Sequence, residues 1–352
     1  MSVDPQQSSK SQMLKEAQEA PERVREFLEG DLALYHELGA KLRALRPSVM
    51  GTFARGSSDN VATYASYLIP QCTGTVVASL PPSLVTVLES KLNLAKQFVL
   101  SISQSGGSPD INGALEHARQ QGALTAALVN DVNSSLAKRA EVLLPQRAGA
   151  ELSLAATKTV LCSMTAVARL AAEWSQDARL QVALRELPET MFEAYNRGTL
   201  VDPGYAEGVS SAFVLSRAYG MTAAQEVSLK IKELCGLHSE SFSSAEVLHG
   251  PREIVNEKFL IIALALPGAG EKNVIDAALQ MKEQGARVVL FGSSTARTEA
   301  LPFVEVPVTS DLRLAPIAAL QLIYPWLERI SKSLGRDPDR PRYLKSKVVK
   351  TL

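Results

Sequence analysis

Phe98-Val99-Leu100-Ser101-Ile102-Ser103-Gln104-Ser105-Gly106-Gly107-Ser108-Pro109-Asp110 decides the fold. It opens as a short apolar run of strand length, passes through small hydroxyl residues and paired glycines, and enters a helical pattern that continues to Gln121. A buried strand that turns directly into a helix is the repeating unit of a parallel sheet, because parallel neighbours must be joined by a crossover. Outward from this segment the same alternation continues. Val49–Ala54, Thr75–Ala78, Ala123–Val129 and Val142–Leu144 read as strands, and Asp59–Ile69 and Ala155–Trp174 as helices. The expected class is α/β, a parallel-sheet three-layer α/β/α sandwich of flavodoxin-like form.

A second series follows. Ala212–Ser216, Phe259–Leu266, Arg287–Phe291 and Val304–Val306 read as strands; Thr222–Cys235, Asn273–Gln284 and Ala315–Ser333 read as helices. Arg55 aligns with Arg217, Phe98 with Phe259, Gly122 with Gly285 and Pro145 with Pro307, at offsets of 162, 161, 163 and 162. A near-constant spacing over four landmarks indicates two copies of one domain, and 352 residues is a length for about two domains. The expected divisions are a disordered start and helical leader over 1–45, a first domain over 46–175, a helical connector over 176–204, a second domain over 205–334, and a tail over 335–352. In the leader, the helical spacing of Met13, Val24, Leu28, Leu34, Leu38, Leu42 and Leu45 is interrupted by Pro21 and Gly30.

The 37 basic and 37 acidic residues balance, which argues against a nucleic-acid partner. The longest apolar run, Phe259 to Leu266, is far below the roughly 20 residues that span a bilayer. Cys72, Cys162 and Cys235 are widely separated, as expected of reduced thiols in a cytoplasm. His36, His117, His238 and His249 have no metal-ligand spacing, and neither a metal nor a redox cofactor is expected.

In open parallel sheets, ligands bind beyond the carboxyl ends of the strands. There the first copy has Ser103–Asp110 and a similar turn, Arg55-Gly56-Ser57-Ser58-Asp59-Asn60. Hydroxyls and backbone amides at a helix start suit one phosphate group, although the same residues also make ordinary helix caps. No lysine of the triphosphate-binding pattern and no dinucleotide glycine pattern accompanies them. The second copy has Leu266-Pro267-Gly268-Ala269-Gly270 at the corresponding place, without hydroxyls. It carries instead Glu226, Lys230 and Glu233 as one stripe on a helix, beside the apolar stripe of Val227, Ile231 and Leu234, and then His249-Gly250-Pro251. A carboxylate at the border of a core face can serve as a general base; a surface ion pair is the alternative.

Together these segments resemble the SIS (sugar isomerase) family. They are most similar to the tandem-SIS isomerase half of glucosamine-6-phosphate synthase and to SIS-type glucosamine-6-phosphate deaminases. The resemblance spans about 46–352 and rests on 55–58, 103–106, Gly149–Lys158, Glu226–Glu233, His249–Pro251 and Arg340–Lys347. It implies that Ser103, Gln104, Ser105 and Ser108 hold a sugar phosphate, with Gly56, Ser58, Glu151 and Thr157 in the substrate site. It further implies Glu233 as the base moving a proton between C1 and C2, Lys230 as a polarising cation, and His249 as the ring-opening residue, contributed across a homodimer. A terminal lysine, Lys347 in preference to Lys345, would close over the site. Ala156 departs from the family's serine, and the expectation is of a protein without the synthase's glutaminase domain and its N-terminal nucleophilic cysteine.

The expected activity is therefore hydrolytic deamination of glucosamine 6-phosphate to fructose 6-phosphate and ammonia. Galactosamine-6-phosphate deaminase/isomerase and fructosamine-6-phosphate deglycase activities are alternatives. A non-catalytic phosphosugar sensor is a rival of another class, which has no use for the Glu226/Lys230/Glu233 stripe.

Overall fold

The computed structural model describes residues 10–30, 32–198 and 201–343. Two leading helices, α1 (Gln12–Glu29) and α2 (Ala33–Leu45), precede a series formed by β1 (Val49–Phe53), α3 (Ser57–Thr73), β2 (Val76–Ser79), α4 (Ser83–Thr86), β3 (Phe98–Ser103), α5 (Pro109–Gln120), β4 (Leu124–Val129), α6 (Ser135–Arg139), β5 (Val142–Pro145) and α7 (Lys158–Ser175). Helix α8 (Ala178–Arg197) leads to the second series: β6 (Ser211–Ser216), α9 (Gly220–Lys230), β7 (His238–Ser243), β8 (Phe259–Ala265), α10 (Glu271–Glu283), β9 (Arg287–Gly292), β10 (Phe303–Glu305) and α11 (Ala315–Ser333).

Each series builds a five-stranded, wholly parallel sheet, in the orders β2-β1-β3-β4-β5 and β7-β6-β8-β9-β10. The two orders are the same in chain sequence, so the repeat read from the residues is a repeat of topology. The ladders refine its register. Met50 pairs with Val77 and Phe98, and Ala212 pairs with Ser239 and Leu260; each corresponding pair of positions is 162 residues apart. Leu260, one residue beyond Phe259, is thus the true counterpart of Phe98.

Helices cover both faces of each sheet, which is why every residue of β8 is buried. The largest hydrophobic cluster joins Met50 and Leu100 of the first sheet to Val214 and Ile262 of the second through α3, α7, α9 and α11. Smaller clusters lie under the outer helices, around Phe53 in one half and Phe213 in the other. The two sheets therefore share one core, and the inner helices α3 and α9 pack against each other across it.

Three local expectations are corrected. Helix α1 runs through Pro21, which is buried within it; the break comes at Gly30. Strand β7 is unheralded in the sequence. The helix expected over Thr222–Cys235 is α-helical only to Lys230, and Ile231–Cys235 forms a π turn. Such turns insert a residue into the helical ladder and redirect the side chains that follow.

Candidate active site

The meeting of α3 and α9 brings the two copies' polar residues together. Helix α3 starts just beyond β1, so Ser57 and Asn60 lie at the carboxyl edge of the first sheet and face α9. Ser57 Oγ donates to Glu226 Oε1 at 3.1 Å, and Asn60 Nδ2 donates to Glu226 Oε2 at 2.7 Å. Lys230, one turn along α9, is 3.3 Å from Glu226 and 2.6 Å from Glu233, and its ammonium also donates to Ser57 Oγ at 3.1 Å. Glu226 and Lys230 are fully enclosed, whereas the Glu233 side chain is 24% exposed.

Burial alone would lower the pKa of Lys230, but Glu226 and Glu233 outweigh it and hold the ammonium protonated well above its ordinary range. Lys230 is thus a fixed cation, unsuited to act as a nucleophilic amine near neutral pH. The Tyr324 hydroxyl of α11 lies in the same field: burial, then the nearby charges of Glu226, Glu151 and Glu233, push its pKa far up and keep it a neutral phenol. One oxygen of Glu233 is held by Lys230. Glu233 also lines a cavity of about 510 Å³ with His238, Arg336, Arg342 and Tyr343. A partly exposed carboxylate at a cavity wall beside a permanent cation can take a proton from a carbon acid while the cation stabilises the charge that develops.

The 103–108 turn has the geometry of an anion site. Ser103 Oγ accepts from the N–H of Gly106 at 3.0 Å, and Ser105 Oγ accepts from Gly107 at 3.4 Å. Ser108 occupies the N-cap position of α5 without a side-chain capping bond. The side chains of Ser103, Gln104, Ser105 and Ser108 donate to no group among the described residues, so their hydrogens are free for a ligand. Gly106 has φ +61°, and a Cβ there would strike Ser134. This turn is fastened to the β1 turn by the ion pair of Arg55 with the buried Asp110.

Glu151 lies inside: it accepts from the N–H groups of Thr157 at 2.9 Å and Thr159 at 3.2 Å and from the Thr159 hydroxyl at 2.5 Å, fixing the start of α7. The Thr157 hydroxyl is buried without a hydrogen-bond partner among the described residues. Helix α1 clamps this segment, with buried Glu16 accepting from the N–H of Leu152 at 2.5 Å and that of Ser153 at 3.1 Å. Gly56 and Ser58 sit at the α3 start; the chain brings Ser57, next to Ser58, into the Glu226–Lys230 network. His249 is exposed at the end of the 3-10 turn Glu246–His249, which buries Val247, and it bonds to none of these groups. Lys345 and Lys347 lie outside the described residues, but Pro341, Arg342 and Tyr343 just before them line the Glu233 cavity.

Ser57, Asn60 and Tyr324 escaped the sequence reading. Ser57 and Asn60 stand in the turn already singled out, and only their contact with Glu226 distinguishes them. Tyr324 sits in an apolar helix and carries no separate signal.

A comparison with protein-family descriptions matches residues 50–173 to the SIS domain, which is the first sheet and its helices. A solved structure from Silicibacter pomeroyi DSS-3, named provisionally as a phosphosugar isomerase, is 38% identical over 94% of this chain and all of its own, with a TM-score of 0.87. The chain belongs to the SIS domain family. Among curated relatives, glutamine–fructose-6-phosphate aminotransferase (isomerizing) of Methanothermobacter thermautotrophicus is 28% identical over 94% of this chain; the chain spans 56% of that enzyme's length. The glucosamine-6-phosphate deaminase of Thermotoga maritima, 19% identical over 96% of this chain and 99% of its own with a TM-score of 0.77, shares the fold. In this SIS protein the matched segment contains both serine-bearing turns, while Glu226, Lys230 and Glu233 lie in the second copy. No helix among the described residues is long and apolar enough to cross a membrane, and no His/Cys/Asp/Glu group there is arranged to hold a metal.

Proposed function

We propose that this SIS protein is an amino-sugar phosphate deaminase, converting glucosamine 6-phosphate and water to fructose 6-phosphate and ammonia. The observation that carries the proposal is the pairing of an enclosed, permanently charged Lys230 with a partly exposed Glu233 that lines a cavity. Ser103, Gln104, Ser105 and Ser108 hold the phosphate of the open-chain sugar, and Gly56, Ser58, Glu151 and Thr157 shape the site around it. Glu233 removes the C2 proton, the electrons of that bond form the C1=C2 double bond, and the C1 carbonyl oxygen takes up a proton. Glu233 returns its proton to C1, leaving an imine at C2. Water adds to that imine, and ammonia departs as the C2 ketone forms.

The Lys230 ammonium stabilises the negative charge of the enol-like intermediate. His249, exposed and without a side-chain bond among the described residues, assists ring opening from a partner copy in a homodimer, and Lys347 acts as the lysine of the tail. The same proton transfer serves formation of the amino sugar from fructose 6-phosphate and ammonia, so the direction follows the ammonia concentration. This accommodates the named activity of the aminotransferase relative.

The test is ammonia release from glucosamine 6-phosphate, set beside galactosamine 6-phosphate and a 6-phosphofructosyl-amino acid. Turnover of the gluco substrate that disappears in Glu233→Gln supports the proposal. Turnover of the other substrates alone transfers the chemistry to a different sugar, and unchanged turnover in Glu233→Gln ends the assignment of the base.

A further inference from the structure

A second cavity, larger than the one at Glu233, lies in the same half of the chain. It has a volume of about 890 Å³ and lies beyond the carboxyl ends of β6 and β8, where the second sheet's strand order reverses. That is the general ligand position of open α/β sheets, and the volume is that of a small-molecule site. It is also the place in the second copy that corresponds to the serine-bearing turns of the first.

The substitutions between the copies change its chemistry in a definite way. In the first copy Arg55 is neutralised by buried Asp110. The position 162 residues beyond Asp110 is Lys272, and Arg217, the counterpart of Arg55, makes no ion pair among the described residues; it only donates to Ser243 Oγ at 2.8 Å. Its aliphatic stem lies against Gly270, where any Cβ would collide with it, so the glycine is what admits the arginine at the cavity wall. Arg179, exposed at the start of α8, reaches the same cavity and also has no ion-pair partner there. A third guanidinium, Arg313, is already occupied by Asp311 and Asp177. The remaining wall is mostly apolar, with Leu266, Pro267, Leu312 and Pro316 beside Gln71, Tyr219 and Ser310. Glu271, the one acid in the first turn of α10, bonds Thr295 at 2.8 Å instead.

We propose that this cavity is a second, non-catalytic binding site, for a small phosphate monoester with an apolar body. Arg217 and Arg179 approach from two different elements and would share the dianionic phosphate, since guanidinium groups match phosphate oxygens in pairs. The apolar wall takes the organic part. The two acids at the wall, Asp177 and Asp311, are committed to Arg313, so the cavity holds no free general base.

Phenyl phosphate is the probe, titrated calorimetrically into the full chain carrying Ser103→Ala and Ser105→Ala, which removes hydroxyls of the first copy's turn. Binding is expected to persist in that background, to weaken at least tenfold on adding Arg217→Ala, and to vanish on adding Ala269→Trp, which fills the cavity without touching its charge. Both added substitutions are at exposed positions, and thermal melts check that the fold is retained. Inorganic phosphate is expected to bind more weakly than phenyl phosphate. No binding in the serine background, or binding indifferent to both Arg217→Ala and Ala269→Trp, overturns the proposal.

Discussion

The Ser57 hydroxyl at the start of α3 donates to the carboxylate of Glu226 on α9 at 3.1 Å. Through this bond the serine-bearing turn after β1 of one sheet touches helix α9 of the other. Neither copy alone contains this polar network. The duplication set two equal switch points side by side, and divergence then gave serines to one copy and the Glu226–Lys230–Glu233 group to the other. The shared core across α3 and α9 fixes the distance between them.

Glu233 is the partly exposed carboxylate of the group and lines a cavity, so its loss should affect chemistry more than folding. Glu233→Gln is expected to lower kcat for ammonia release by about 10²- to 10⁴-fold, the usual range for a removed general base, with KM changed little. The melting temperature should stay near wild type, because Lys230 keeps Glu226 as a partner. Steady-state kinetics and a thermal melt check both halves. A large KM effect at unchanged kcat would show that Glu233 binds the substrate rather than acting on it.

Lys230 carries the opposite expectation. Removing its charge leaves Glu226 enclosed, with the neutral donors Ser57 and Asn60 but no cation beside it among the described residues. Lys230→Met should destabilise the protein by about 3–5 kcal/mol, the range for breaking a buried pair by deleting one partner. Adding Glu226→Gln should restore part of that loss, since the uncompensated charge is then gone. Urea unfolding of the two single variants and the double variant measures the coupling. Additive losses in the double variant would mean that the two side chains do not depend on each other.

The sheet architecture was legible because buried parallel strands such as Phe98–Ser103 and Phe259–Ala265 are unbroken apolar runs, and each is followed by a helix start. Strand β7 was not. His238-Ser-Glu-Ser-Phe-Ser is an edge strand with one side partnered, and its composition is that of a loop. The stripe of Glu226, Lys230 and Glu233 was visible as helical spacing. The π turn that separates Glu233 from its two companions is a backbone event which that spacing does not encode. Ser57 was hidden for another reason: its importance lies in a contact 169 residues away. Arg217 stands out in the sequence only as a repeat landmark, because what frees it is the absence, in its own copy, of the acid that Asp110 supplies in the first.

Gly106 tests the anion turn independently of the acid–base centre. Its φ of +61° is a left-handed conformation, and the space where a Cβ would stand is filled by Ser134. Gly106→Ala is expected to cost about 1–3 kcal/mol, the range for a side-chain-bearing residue held in such a conformation. It should also raise KM for a phosphorylated substrate, because Ser103 Oγ accepts directly from the Gly106 amide. A variant with wild-type KM would separate this turn from phosphate binding. Denaturant midpoints and substrate titration give the two readouts.

Arg313 joins the start of α8 to the turn before α11, pairing with both Asp177 and Asp311. Burial alone would raise these two carboxyls. The balance is reversed by bonds from Arg313 to each, with the amide of Leu180 on Asp177 and the amide of Arg313 on Asp311, so both titrate below the ordinary carboxylate value. Groups with lowered folded values stabilise fully above the unfolded value, roughly 3.9, and lose that contribution as the pH falls through the folded value. Arg313→Gln is therefore expected to unfold more readily than wild type at pH 7, by about 1–3 kcal/mol for hydrogen bonds between charged groups. The gap should stay constant from pH 7 to about 5 and narrow below roughly 3.9 as the carboxylates protonate in both proteins. Thermal melts of the two proteins between pH 7 and 3 measure the difference directly. A gap that persists undiminished at the acid end would place the stabilisation in the packing of the Arg313 stem rather than in its charge.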